Sequence, residues 1–183
     1  MDGFSRSSEI RFEYEYCSGK EAIEKIRRYY TEKRMSEASY ATFSYIRIYY
    51  KDELIFEFTD WLSMFAHGMV IGLKEFLEKG HAEISAHDDP IIFILDKMDG
   101  NMVLFKIDCW REKREIIVKE AGIVEAILMF VKDFINEILN IDKGLVEVPD
   151  ISDVVLEIKQ VEERVKALEG EINEIYPNKS IRG

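Results

Sequence analysis

Between residues 82 and 119 four short apolar segments, AEISAH, IIFILD, MVLFKIDCW and REIIVK, follow one another with only brief polar breaks. Their β-branched and aromatic content is that of strands. The second and third are joined through MDGN, whose Asp-Gly pair favours the type I′ turn that suits the right-handed twist of a hairpin. An antiparallel meander is therefore expected. IIFILD is apolar throughout, so it should lie centrally with both faces covered. MVLFKIDCW alternates instead, which puts Val103, Phe105, Ile107 and Cys109 on one face.

Upstream, IRFEYEY at residues 10–16 also alternates and reads as a strand burying Ile10, Phe12, Tyr14 and Tyr16. SGKE supplies a capping box, Ser18 with Glu21, for a helix that should bury Ile23, Ile26 and Tyr30 and end near Arg34. TFSYIRIYY and LIFEFT, residues 42–50 and 54–59, form a hairpin across KDE. Thr59 or Asp60 then caps a helix running to Lys79, which Gly80 stops. Leu62, Phe65, Ala66, Met69, Leu73 and Phe76 share its core face; Met64 and Ile71 lie opposite, which suggests cover on a second side. A further helix from Glu120 to Leu139 carries Ile123, Ile127, Phe130, Phe134 and Ile138, with Val124, Leu128, Val131 and Ile135 widening the stripe. A last helix starts near Asp150 or Ser152 and ends before Pro177. The expected fold is α+β: a largely antiparallel sheet of six to seven strands, three helices, and a long heptad-patterned C-terminal helix. Residues 1–148 form the core domain, 149–176 the helix that packs on it or on a partner, and 177–183 a tail.

The 183 residues suit one domain. A net charge of −11 argues against binding nucleic acid, which needs a clustered basic surface. The charge is uneven: ten Lys/Arg against eight Asp/Glu up to residue 51, fifteen against twenty-eight after it. An acidic surface steers basic partners. The longest apolar run, residues 61–73, is well short of the roughly 20 residues that cross a bilayer, so no membrane span is expected. MDGFSRSSEIRF has no apolar stretch of signal-peptide type, which leads us to expect a cytoplasmic chain. Cys17 and Cys109 are then expected as free, buried thiols.

All three histidines fall between residues 67 and 87. His81 and His87, six residues apart on a strand, stand roughly 20 Å apart and cannot share a metal. His67 lies thirteen residues before Gly80, also roughly 20 Å along its helix, so a strand folding back would level it with His87. Asp88 and Asp89 would complete a set of nitrogen and oxygen ligands. Against this, His67 points near 140° when Leu62 is set to zero, away from the core face. The competing reading is architectural, with His81 a helix-exit residue, His67 a flank residue and Asp88, Asp89 and Pro90 a turn. The chain has no nucleophile elbow, phosphate-cradling glycine loop, CxxC or HExxH, and no cofactor is expected.

Val154, Ile158, Val161, Val165, Leu168, Ile172 and Ile175 follow a four-three spacing, a seam that requires a partner surface. With Ile158 at position a, a parallel homodimer would set Glu157 against Glu162 and Arg164 against Glu169, one repulsive and one attractive pair. The helix either packs antiparallel on the preceding helix or across the sheet, or it holds a partner through Glu157, Glu162 and Glu169. Eight of nine tyrosines precede residue 51. One of Tyr29 and Tyr30, and one of Tyr49 and Tyr50, must point outward, as interface tyrosines do.

The alternating N-terminal strand, the hairpin YATFSYIRIYYKDELIFEF, the Trp-led helix and IIFILDKMDGNMVLFKIDCW resemble, in layout, the bacterial immunity proteins that neutralise polymorphic or contact-dependent toxins. The resemblance covers residues 10–140 and rests on no diagnostic motif. It implies an acidic patch that plugs a basic toxin. Three functions follow from the sequence: a non-enzymatic module binding a basic protein, a self-assembling scaffold using the last helix, and a small-ligand or metal-dependent enzyme around His67 and His87. Salt-sensitive association, light scattering and metal analysis respectively discriminate them.

Overall fold

The structure, a computed structural model, describes residues 9–147 and 149–175; for residues 147, 149, 150 and 169–175 only the backbone is described. The chain is α+β, as expected, but the seven strands among the described residues form two antiparallel sheets instead of one. The first contains β1 (Ile10–Tyr16), β2 (Phe43–Tyr50) and β3 (Glu53–Trp61) in that order. The second is the meander β4 (His81–Ser85), β5 (Ile91–Met98), β6 (Met102–Cys109) and β7 (Lys113–Lys119). Five α-helices accompany them: α1 (Lys20–Thr31), α2 (Met35–Ala41), α3 (Leu62–Lys79), α4 (Glu120–Ile141) and α5 (Pro149–Ile175), with a 3-10 turn at Lys143–Glu147 before the last.

Period-two patterning decides the sheets. Ile10 and Phe12 of β1, Ile46 and Ile48 of β2, and Phe56 and Phe58 of β3 are buried; the intervening Arg11, Glu13, Tyr45, Arg47 and Glu57 form the outer face. In the second sheet Ile91, Phe93, Leu95, Val103, Phe105 and Ile107 face inward. β5 is interior to its sheet, yet only one of its faces is covered: Ile92 is exposed, and continuous apolarity was no sign of double cover here. The two sheets meet α3 and α4 at phenylalanines. Phe93 stacks on Phe105 at 6.2 Å and lies 5.3 Å from Phe58 and 5.4 Å from Phe65, while Phe130 of α4 reaches Phe12 at 5.8 Å and Phe65 at 5.9 Å. Edge-on and offset rings at these distances contribute beyond the area they bury.

Several local expectations are corrected. α1 opens at Gly19, with positive φ and no side-chain cap, so the Ser18 and Glu21 capping box does not form. Residues 35–41, read as no element, form α2. Asp60 does not cap α3; it is the inward residue of β3 after Phe56 and Phe58, and Trp61 occupies the cap position. Met64 and Ile71 are themselves exposed, and the second cover of α3 comes from α5 on the flank of Ser63, His67 and Lys74. Gly80 does stop α3 in the left-handed conformation. The β2–β3 turn places Lys51 and Asp52 both at positive φ, the backbone of a type I′ turn without glycine, whereas at MDGN the left-handed residues are Gly100 and Asn101 and not the Asp-Gly pair. Cys17 is exposed and Cys109 half-buried.

α5 closes the open side of α3. Ile151, Val154, Ile158 and Val161 are buried, so the first half of the heptad seam is spent within the chain. The helix runs alongside α3 in the same direction: Ile151 and Val154 line a cleft with Ser63 and His67, and further along Lys74 Nζ donates to Glu157 at 2.8 Å and Gln160 at 2.6 Å. The sequence reading set this helix antiparallel on the preceding helix or across the sheet; it meets α4 at Phe134 and Lys132 but also runs parallel along α3, which that reading did not include. Ile172 and Ile175 fall outside the described side chains.

Candidate partner-binding groove and the histidine cluster

The histidines do not assemble into one site. His67 sits on α3 in a small cleft with Tyr30, Ser39, Ser63, Phe134 and Val154. His81 pairs across the strands with Asp96, Nδ1 to Oδ1 2.7 Å, and Lys106 Nζ holds the other oxygen at 2.7 Å. These two partners, Lys106 first, pull the Asp96 carboxyl below the ordinary range. Among the described residues no group of three or more His, Cys, Asp and Glu could hold a metal ion.

His87 instead meets a residue that the sequence reading had taken for a helix cap. Asp60 is completely buried. Its Oδ1 accepts the backbone N–H of Trp61 at 2.8 Å and of Asp88 at 3.2 Å; its Oδ2 accepts the N–H of His87 at 2.9 Å and lies 3.5 Å from His87 Nδ1. Burial pushes this carboxyl above its ordinary value, against the pull of those hydrogen bonds and of His87. Both oxygens are occupied by backbone donors, so the group anchors the β4–β5 connection to β3. Asp88 contributes its backbone to this anchor. Asp89 contributes its carbonyl, which accepts the N–H of Ile91.

The tyrosine pairs divide as geometry requires. Tyr30 is buried, while Tyr29 turns outward between Arg28 and Arg34, whose guanidinium carbons lie 4.8 and 4.7 Å from its ring centre. Tyr49 is on the outer face of the first sheet under Arg11 at 4.0 Å, and Tyr50 is half-buried at the inward position. Of the proposed C-terminal contacts, Glu157 is paired with Lys74 and Glu162 with Lys132 inside the chain, so neither projects toward a partner unpaired. Glu169 lies outside the described side chains.

A groove that sequence reasoning missed runs between β1 and α4. A cleft of about 530 Å³ is lined by Ile10, Arg11, Phe12, Glu13, Asp52, Glu125, Met129 and Asp133, among others. It continues into one of about 420 Å³ that shares Phe12, Glu13, Phe130 and Asp133 and ends at Tyr14 and Glu137. Phe12 and Phe130 give it an apolar floor, and five carboxylates stand around it with Arg11 as the cation of its lining. Arg11 is already bound to Glu13 at 2.8 Å and Asp52 at 2.7 Å. Glu137 accepts the hydroxyls of Tyr14 at 2.7 Å and Tyr16 at 2.9 Å, which ties α4 to β1. Burial, with that carboxylate, raises both phenols far above the ordinary range, so they stay protonated donors. No Lys, Arg or His nitrogen among the described residues lies within 4 Å of Glu125 or Asp133. Partial desolvation in the groove raises the Asp133 carboxyl. The signal was present in the sequence as Glu125, Met129, Asp133 and Glu137, four residues apart along one flank of α4.

Comparison of the chain with protein-family models, with curated proteins and with solved structures finds no match.

Proposed function

We propose that this chain is a non-enzymatic protein-binding module whose partner presents a basic segment to the groove between β1 and α4. The observation that carries this reading is the row of Glu125, Asp133 and Glu137 above an apolar floor, with Glu125 and Asp133 free of any cation within 4 Å among the described residues. A basic partner supplies these carboxylates with the counter-charge that the fold does not, while the floor contributes apolar burial. The resemblance to immunity proteins extends the proposal to a basic toxin domain as the natural partner.

The test uses decalysine as the probe. Binding at low salt is measured for the native chain, for Glu125→Gln with Asp133→Asn, and for Glu83→Gln with Glu115→Gln, which changes the net charge equally on the exposed face of the second sheet. The groove pair is expected to lose at least about tenfold in affinity, one or two desolvated contacts, while the control pair loses far less. Equal losses in both pairs would reduce the effect to net charge and remove the groove from the proposal.

A further inference from the structure

The hydrogen-bonding phase of β1 assigns a shape to that partner. Lys51 N donates to Glu9 C=O at 2.7 Å and Cys17 N to Phe43 C=O at 3.0 Å, and the β1–β2 register pairs Arg11 with Tyr49 and Glu13 with Arg47. Odd-numbered residues therefore bond to β2, and even-numbered ones direct their N–H and C=O to the other side, where no further strand follows among the described residues. Gly19 N takes the carbonyl of Tyr16 at 2.8 Å. Phe12 and Tyr14 are left with both backbone groups facing the groove that their own residues line.

We infer that the groove takes its partner as an added strand: an extended, lysine- or arginine-bearing segment that pairs with Phe12 and Tyr14 and lays its cations along Glu125 and Asp133. This rests on the reading of the groove as the site for a basic partner and adds the mode of recognition. An open strand edge is a template for another chain unless proline, a bulge or an inward charge blunts it. β1 has no proline, keeps a regular register over seven pairs, and turns its charged side chains to the outer face. Negative charge is what guards it. The flank of α4 repels acidic segments, including the β1 of a second copy, whose sequence is IRFEYEY in a chain of net charge −11. A basic strand is the one occupant that satisfies both the backbone and the carboxylates.

The experiment compares (Lys-Thr)5 with (Lys-Pro-Pro)5, which is equally charged and extended but lacks the N–H donor at two of every three ladder positions on either side of the chain. Amide exchange of Phe12 and Tyr14 and affinity are read for the native chain and for Glu125→Gln with Asp133→Asn. The added strand is expected to slow exchange at Phe12 and Tyr14 at least about tenfold and to bind at least about tenfold more tightly than the proline peptide, the worth of one or two hydrogen bonds. If both peptides bind equally, lose affinity alike in the charge variant, and leave the two amides unprotected, strand addition is overturned while the basic-partner reading stands. If neither peptide binds, or the charge variant binds both as well as the native chain, the reading of the groove itself falls and strand addition with it.

Discussion

Asp60 shows how one residue can be misread in a sequence and then organise a structure. A carboxylate before an apolar helix resembles a cap, and TDW invites that assignment. Yet Asp60 continues the phase of Phe56 and Phe58, so its side chain had to enter the core, where a carboxylate persists only if its lone pairs are met. The structure meets them with three backbone N–H groups, those of Trp61, His87 and Asp88. Asp60→Asn keeps the volume but turns an amide NH2 toward backbone donors. The expected cost is on the order of 3 kcal/mol, read as a lowered urea midpoint at unchanged slope, with faster exchange of the His87 and Asp88 amides. A cost below about 0.5 kcal/mol would show that the loop does not depend on the charge. The neighbour of His87 is Asp60 and not His67. Strand phase would have found it.

At the level of elements, long periodic stretches were legible and their mutual placement was not. β1, α3, α4 and the meander fall within a few residues of where periodicity put them, because period two and period 3.6 are imposed locally by burial. That the strands divide into two sheets, which meet through Phe56, Phe58 and Phe93, is encoded by no local pattern. α2 was missed because MSEASYA is short and only Ala38 in it is buried. The α3–β4 packing is a sharper case. Gly68 and Gly72 stand one turn apart beneath Ile84, and a Cβ on Gly72 would lie 2.3 Å from Ile84 Cγ1. Gly72→Ala should gain about 1 kcal/mol in helix propensity and lose more to that overlap, for a net cost of about 1–2 kcal/mol. Ile84→Ala alone should cost about 2–4 kcal/mol, and the double variant should cost clearly less than the sum. Simple additivity in the denaturation of the four species would contradict the contact. For α5, Ile158→Ala is expected to cost about 2–4 kcal/mol, as a core position does, without a change in association state by light scattering. Dissociation of an oligomer with little loss of stability would instead place the seam between chains.

For the whole molecule, the charge that the proposed function uses is also a charge the fold tolerates at some cost. Asp133 has its carboxyl raised by desolvation, so the folded chain holds that proton more tightly than the unfolded chain does. Below the ordinary aspartate value of about 3.9 both states are protonated and nothing is lost. As the pH rises through the folded value, the folded state must ionise a group it disfavours, and stability falls with rising pH. Asp60 is shifted in the same direction, so the wild-type curve alone does not isolate Asp133. The difference between wild type and Asp133→Asn does, since Asp60 is common to both. That difference should favour the variant at neutral pH and vanish toward pH 4. The gain should stay below about 1 kcal/mol, because Asp133 is exposed and solvent screens it. The same substitution should weaken decalysine binding. A variant that is more stable and binds less well is what a carboxylate kept for recognition predicts. A variant that loses stability at neutral pH would mean that Asp133 is held by a favourable partner in the fold, and the groove would then be structural.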